Sequence, residues 1–240
     1  MSCEDENFHS HSHGHDQGDS RDHDDHDHIA PAQTTAAQSL WNKIDLPHVL
    51  ALNVLNHPDD VPKLFKSYDH RYECNPVVKS DCDAQMIIHI PFANVSAKLS
   101  SIVLRTNGES FCAKTIRLWK NDPSIDFDSA GLKKPTFTIQ HPEVGLPDYE
   151  DDEVPNAVES EAEFVEHLVP RHAFSGVTHL TIFIEDVHGS EDELWVHNID
   201  LRGEFTQLSK DPVITLYELA ANPADHKNMV AAESANFSQM

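Results

Sequence analysis

The sequence has few basic residues and no long hydrophobic run. Lysine and arginine total 17 against 41 aspartate and glutamate residues, and the formal net charge is -24 at pH 7. Such a chain repels phosphate backbones and anionic lipid, so nucleic acid and membrane surfaces are disfavoured as partners. Basic proteins, or basic patches on a complex, suit it better. No run of about 18 apolar residues occurs, so the sequence predicts no membrane-spanning helix.

The cysteines are too few and too scattered for a disulfide scaffold or a zinc site. They are Cys3, Cys74, Cys82 and Cys112. No C-x-x-C pair exists, and the gaps match no zinc-finger spacing. Residues 1–28 lack the apolar core of a secretory signal, so we expect free thiols in the cytoplasm and nucleus. Cys82 stands between Asp81 and Asp83, which should raise the thiol pKa and make it a poor nucleophile.

Motifs of catalysis are also missing. The sequence contains no G-x-S-x-G, no G-x-G-x-x-G and no phosphate-cradling loop. Its carboxylates crowd into loops instead of forming an isolated pair, so glycosidase chemistry has no support. We therefore predict no enzyme activity, no catalytic residue and no cofactor.

The first 38 residues read as a tail and linker. Residues 1–28 are rich in His and Asp with almost nothing apolar, and residues 29–38 read as a linker, so the sequence predicts disorder. Imidazoles and carboxylates bind Zn, Ni or Cu, which makes metal binding by the tail one alternative function. The tail histidines are His9, His11, His13, His15, His23, His26 and His28. A pH-sensitive tail is a second interpretation, because imidazole titrates near neutrality.

The folded part shows the two-residue period of strands. A short helix is expected from residue 48 to 55, and a helical turn between Asp60 and Tyr68. Eight short strands then follow, at residues 86–90, 99–104, 115–120, 136–140, 164–169, 178–185, 194–201 and 213–217. No long helical period separates them, which excludes a parallel α/β fold and predicts an all-β sandwich, perhaps a jelly roll. Residues 143–163 are expected to form a long solvated acidic loop.

Four segments, in order, resemble motifs of one known family, the PITH domain. They are SDCDA at residues 80–84 followed by IHIPF at 88–92, IRLWKN at 116–121, DLRGEFT at 200–206 and ANPADH at 221–226. The order and spacing hold over residues 39–226, which we assign to the domain. Residues 227–240 are expected to be a flexible C-terminal tail.

The resemblance implies a jelly-roll β-sandwich similar to galactose-binding-like domains. It also implies a non-catalytic protein-interaction module associated with the 26S proteasome regulatory particle, and we expect a monomer. The chain is similar to the stand-alone members, which lack the thioredoxin module of their relatives. Without a C-x-x-C motif, disulfide reductase activity is not carried over. Phe205 stands where tryptophan is common in the family, a swap that leaves packing plausible.

The motif residues supply the candidate binding site. It comprises Asp81, Asp83, Arg202, Glu204, Asp225 and His226. Arg202 could pair with Asp81 or Asp83 and join two distant strands, although exposed, unpaired charges are the alternative. Gly203 is expected at a bulge or a close backbone approach.

Two alternatives come from fold analogy. A jelly roll that binds carbohydrate or another small ligand would show exposed aromatic residues at loop tips. A metalloenzyme would use His89, His179 and His197, three histidines in predicted strands, although exposed or hydrogen-bonded side chains are the default for each. The three tryptophans are expected in the core or at its rim instead of forming sugar platforms. They are Trp41, Trp119 and Trp195.

Overall fold

The computed structural model describes residues 34–149 and 154–208, which fold into two antiparallel β-sheets. The strands are β1 (Leu50–Leu52), β2 (Val78–Lys79), β3 (Met86–Pro91), β4 (Val95–Thr106), β5 (Thr115–Lys120), β6 (Phe137–Gln140), β7 (Val165–Leu168), β8 (Ser175–Val177), β9 (His179–Ile184) and β10 (Trp195–Gln207). One α-helix, α1 (Phe127–Ala130), is present in this part. The 3₁₀ helices there are Ala36–Gln38, Trp41–Lys43, Leu46–His48, Pro58–Leu64 and Tyr68–His70.

The two sheets face each other as a jelly-roll β-sandwich. The first sheet has the strand order β1-β3-β9-β5-β6, and the second has β2-β10-β4-β7 with β8 also paired to β4. This confirms the predicted fold class. Each predicted strand within the described residues coincides with an observed one, and residues 213–217 lie outside the described residues.

Inward-facing side chains of both sheets fill the interior. Ile102 and Leu104 of β4 and Leu201 of β10 share one apolar cluster with Ile88 of β3 and Ile182 of β9. All five are almost fully buried, and each such side chain contributes roughly 1.5–3 kcal/mol relative to an exposed one. Because alternate residues point to opposite faces, β4 and β10 must present their remaining side chains on the outer face of the second sheet.

The outer face of the first sheet carries a smaller apolar cluster. Ile87, Trp119 and Phe183 pack there against Ile125 and Ala130. Ala130 belongs to α1, a helix whose start is fixed by Asp126, which accepts a hydrogen bond from the Ser129 amide. This cover explains why β3 and β9 read as almost continuously apolar.

The predicted helix at residues 48–55 is wrong. A 3₁₀ helix ends at His48, and β1 then pairs with β3, with Leu50 opposite His89 and Leu52 opposite Ile87. Residues 50–52 form a strand because they find backbone hydrogen-bond partners at the edge of β3. A local sequence pattern cannot show such distant partners. Asn53, with φ of 61°, follows β1 directly. The helical turn expected between Asp60 and Tyr68 is confirmed as Pro58–Leu64.

Gly203 lies at a bulge, as predicted. The register of β10 against β4 shifts between Arg202 and Gly203. A Cβ atom at Gly203 would lie 2.2 Å from the carbonyl oxygen of Lys98, so only glycine fits there without movement.

The acidic segment 143–163 is less solvated than expected where it is described. Leu146 is fully buried and forms a β-bridge with Asn107, and Ala157 forms another with Glu73. These contacts lay the segment against the sandwich. Among the described residues, no helix has the length and apolar character to cross a membrane.

Candidate functional site: a charged pocket on the second sheet

A pocket lies on the outer face of the second sheet, between that face and the chain that covers it. Register pairs Arg202 with Ser101 and Asp200 with Val103 across β10 and β4. These side chains point outward because their neighbours fill the core. The charged pocket, as we name it, has a volume of about 200 Å³. It is lined by Ala36, Ser39, Lys66, Tyr68, Arg71, Val103, Glu161, Phe164, Asn198, Asp200 and Arg202.

Arg202 and Asp200 form an ion pair within this pocket. Arg202 Nε donates to Asp200 Oδ2 at 2.9 Å, and the other carboxylate oxygen accepts from Ser39 Oγ at 2.5 Å. Arg202 Nη1 also lies 3.6 Å from Glu166 Oε1. The predicted pairing of Arg202 with Asp81 or Asp83 is therefore wrong. Residues i and i+2 of one strand lie on the same face of the sheet. The acid that pairs with Arg202 is therefore Asp200, two residues earlier in the same motif.

Arg71 packs against two tyrosine rings at one side of the pocket. Its guanidinium carbon lies 3.7 Å from the ring centre of Tyr68 and 4.0 Å from that of Tyr72. Arg71 Nε donates to Glu161 Oε1 at 3.3 Å, and the Tyr72 hydroxyl donates to the same oxygen. The hydrogen bond from Tyr72, followed by the one from Arg71, lowers the pKa of Glu161 despite an opposing effect of burial.

Lys66 is buried beside these residues. Its ammonium group donates to the carbonyl oxygens of Glu73 at 2.6 Å and His197 at 2.8 Å. Burial lowers the pKa of Lys66 to about 8, because the charged form loses water. Asn198 is 2% exposed, and its Nδ2 has no hydrogen-bond partner within the described part of the chain.

Arg105 holds the covering chain onto the sheet. It is fully buried, and its two terminal nitrogens donate to the carbonyl oxygens of Tyr72 at 3.1 Å and Val158 at 2.9 Å. Its guanidinium carbon lies 4.6 Å from the ring centre of Phe164. Sequence reasoning missed Arg105. The signal was a lone arginine inside the apolar run of β4.

The other predicted binding residues lie elsewhere. Asp81 and Asp83 are exposed in the turn before β3, where Asn53 Nδ2 donates to Asp83 Oδ1 at 2.8 Å. Glu204 pairs with Arg171 at 2.8 Å on the surface. The four motif residues that the structure describes therefore do not form one site. Asp225, His226 and the seven tail histidines lie outside the described residues.

Cys82 behaves as its neighbours predict. The Asp81 carboxylate, by a hydrogen bond and by its charge, raises the pKa of the Cys82 thiol. Cys74 and Cys112 are buried. Within residues 34–149 and 154–208 the cysteines are free, and Cys3 lies outside them.

The strand histidines do not meet in one place. His89 and His179 lie on the first sheet with ring centres 5.5 Å apart, and His89 Nδ1 lies 3.2 Å from Thr181 Oγ1. His197 belongs to β10 in the second sheet, where its ring contacts the Asn107 side chain at 2.7 Å. Among the described residues no group of three or more His, Cys, Asp or Glu could hold a metal ion. A site built from all three histidines is therefore wrong.

The tryptophans follow the expectation of core or rim. Trp119 and Trp195 are each 4% exposed, and Phe111 stacks on Trp195 with ring centres 4.6 Å apart. Trp41 is 37% exposed, and its Nε1 donates to the Phe65 carbonyl oxygen at 2.8 Å. It lies beside the charged pocket, because its backbone amide donates at 3.4 Å to Ser39 Oγ, which belongs to a lining residue.

The fold places the chain among β-sandwich domains, and solved structures of that class resemble it. The C-terminal domain of a chitobiase from Bacteroides fragilis covers 69% of this chain and 95% of its own, with a TM-score of 0.42 and 12% identity. A family 32 carbohydrate-binding module from Streptococcus pneumoniae EndoD covers 67% and 99%, with a TM-score of 0.42 and 8% identity. At such identities we take no ligand from either.

The sequence comparison identifies the family. The model of the PITH domain matches residues 30–221, and the chain belongs to the PITH domain family. PITH domain-containing protein 1 of Danio rerio is 34% identical over 198 residues, which are 82% of this chain and 85% of that protein. A PITH domain-containing protein of Schizosaccharomyces pombe is 30% identical over 196 residues, 82% and 87%. Neither name describes an enzyme, and no thioredoxin module is evident in this chain.

Proposed function

We propose that this domain is a non-catalytic docking module that binds the 26S proteasome regulatory particle in the cytoplasm and nucleus. The docking face is the rim of the charged pocket on the second sheet. The observation that carries this proposal is the set of side chains gathered there, namely Trp41, Tyr68, Arg71 and Arg202. Tyr, Trp and Arg are the residue types that dominate binding energy at protein interfaces.

These side chains are held in place before any partner arrives. Trp41 is fixed by its hydrogen bond to Phe65, and Arg71 is stacked between Tyr68 and Tyr72. Tyr68 nevertheless leaves 55% of its surface exposed. A rigid exposed aromatic loses little entropy on binding, which favours a docking role for this face. The formal charge of -24 suits a partner that carries a basic patch.

The test is direct binding of the purified full chain to purified 26S proteasome and to the isolated core particle, measured by biolayer interferometry. We expect binding to the complex with the regulatory particle and none to the core particle alone. Tyr68→Ala should weaken binding at least about tenfold, since it removes an anchor of the docking face.

The matched control is Leu132→Ala, which removes an apolar side chain that is 88% exposed just after α1, away from the charged pocket. It should leave the affinity unchanged. Absence of binding to the regulatory particle by the folded chain would contradict the proposal. Equal losses in the two variants would contradict the choice of docking face.

A further inference from the structure

The charged pocket has a local charge opposite to that of the chain. Three cationic side chains line it, Lys66, Arg71 and Arg202, against two carboxylates, Asp200 and Glu161. In a chain with a formal net charge of -24, most of the surface repels anions. Among the charged side chains that line this cavity, cations outnumber carboxylates by one, so an anionic group is repelled less here than over most of the surface.

Each carboxylate of the pocket already accepts two hydrogen bonds and keeps lone pairs to spare, whereas some donors have no partner at all. Asp200 accepts from Ser39 and Arg202, and Glu161 accepts from Arg71 and Tyr72.

Asn198, by contrast, lines the pocket, and its buried Nδ2 bonds to nothing among the described residues. A buried donor without a partner costs free energy, which a ligand acceptor would recover. The Lys66 ammonium carries three N–H donors and places two on backbone carbonyls. The ligand that fits these vacant donors is an acceptor, preferably a charged one.

The volume and the apolar walls of the pocket limit which anionic ligands fit it. About 200 Å³ holds a carboxylate with a few carbon atoms, and Val103, Phe164 and Tyr68 supply apolar contact for that stem. A chain end offers a carboxylate together with a neighbouring peptide N–H. That N–H suits the spare lone pairs of Asp200 or Glu161. In an acidic side chain, additional carbon atoms separate the carboxylate from the peptide N–H of the same residue.

We propose that the charged pocket binds the C-terminal carboxylate of a partner chain, with Asn198, Lys66 and Arg202 as donors. The inference rests on the docking face proposed above and gives its partner a chemical feature, a free chain end. A terminal carboxylate among basic residues of the partner would satisfy both the pocket and the acidic surface around it.

The test uses the full ¹⁵N-labelled chain and the side-chain amide signals of Asn198 in two-dimensional NMR spectra. The probe is acetyl-Ala-Leu with a free carboxylate, titrated at constant ionic strength. We expect saturable shifts of the Asn198 amide with a dissociation constant in the millimolar range, since the probe is small. The same peptide with a C-terminal amide should bind at least tenfold more weakly.

Variants separate the pocket from the rest of the surface. Arg202→Gln should weaken the carboxylate probe severalfold. The matched control, Arg171→Gln, removes an arginine that is also ion-paired but lies outside the lining of the pocket, and it should leave binding unchanged. Dispersed backbone signals show that each variant is folded. Asn198→Asp, which adds a repelling charge and is followed through the backbone amides of β10, provides a second loss of binding.

Two further probes distinguish a chain-terminal carboxylate from other anions. Acetyl-Glu methylamide carries the carboxylate on a side chain, and inorganic phosphate carries no carboxylate. Equal or tighter binding of either overturns the assignment to a chain end, and so does equal binding of the peptide amide. No shift with any probe overturns the site itself. These readouts do not involve the proteasome, so failure of the docking proposal and failure of this one remain distinguishable.

Discussion

Arg202 and Asp200 pair along a single strand, with 2.9 Å between Arg202 Nε and Asp200 Oδ2. Both side chains are mostly buried, with 18% and 17% of their surfaces exposed. Ser39 donates to the same carboxylate, so the segment just after the 3₁₀ helix Ala36–Gln38 is tied to β10 through this pair. The LRGEF segment therefore has a structural role and, at the same time, supplies one wall of the charged pocket.

Replacing Asp200 should destabilise the fold. Asp200→Ala leaves the mostly buried Arg202 without its best partner and removes the Ser39 hydrogen bond. We expect a loss of about 1.5–3 kcal/mol in the free energy of unfolding, the usual range for hydrogen bonds to charged groups. Urea unfolding followed by tryptophan fluorescence measures it. Asp81→Ala, at an exposed acid of another motif, should change the value by under about 0.5 kcal/mol. Similar losses in both variants would contradict the assigned roles.

The strands were predictable because their signal is local. In β5, Ile116 and Leu118 alternate with polar neighbours, and the predicted bounds of this strand match the observed ones. The short strands β1, β2 and β8 escaped notice, since two or three residues carry no period. Leu50–Leu52 became a strand through pairing with β3, a contact between distant parts of the sequence.

The site was less predictable than the fold, because its members come from five separate segments. Of the four predicted binding residues that the structure describes, only Arg202 lines the charged pocket. Lys66, Arg71 and Glu161 lie in covering segments without a repeating pattern, and only the packed chain brings them to β10. Asp83, a residue of a family motif, forms a hydrogen bond that shapes a turn. From sequence alone, such a structural role of a motif residue cannot be told apart from a role in binding.

Arg105, which is fully buried, should be among the most costly residues of β4 to replace. Arg105→Met keeps much of the volume but leaves the carbonyl oxygens of Tyr72 and Val158 without their donor and the nearby Glu163 without a cation. We expect a loss of about 3–5 kcal/mol, as for other broken buried charge networks. Chemical denaturation checks this value.

The control for Arg105 is Arg171→Met, at an arginine whose ion pair with Glu204 is exposed. A surface pair contributes at most about 1 kcal/mol, so this variant should be nearly as stable as the parent. If Arg105→Met were equally mild, the covering chain would not depend on the arginine.

Gly203 and Gly131 make a matched pair for the bulge. An added Cβ at Gly203 would lie 2.2 Å from the Lys98 carbonyl oxygen, whereas at Gly131 the nearest atom is 4.0 Å away. Gly203→Ala should therefore cost about 1–3 kcal/mol through forced backbone shifts. Gly131→Ala should be neutral or stabilising by up to about 1 kcal/mol, because it restricts the unfolded chain. Thermal unfolding of both variants tests the bulge, and a harmless Gly203→Ala would show that β10 adapts there.

Stability should fall in mild acid, and His141 is a main cause. This side chain is 2% exposed, and its Nδ1 lies 2.7 Å from His167 Nε2. Burial, then the neighbouring His167 and His188, lowers the pKa of His141 to about 4 from an ordinary value of 6.5. Between these two pH values the unfolded chain binds more protons than the folded one, so the free energy of unfolding decreases as pH falls. The full effect of this histidine is at most about 3 kcal/mol.

His141→Asn tests this assignment, because asparagine can keep the hydrogen bond to His167 but does not titrate. Urea unfolding at a series of pH values from 7 to 4 should give a shallower decline in this variant than in the parent chain. His172→Asn, at an exposed histidine, serves as the control and should keep the parental slope. The half-buried His179 and the buried His197, whose pKa values are also lowered to about 4 by burial, account for part of the slope that persists. Identical slopes in all three proteins would mean that burial of neutral His141 does not contribute to the loss of stability in acid.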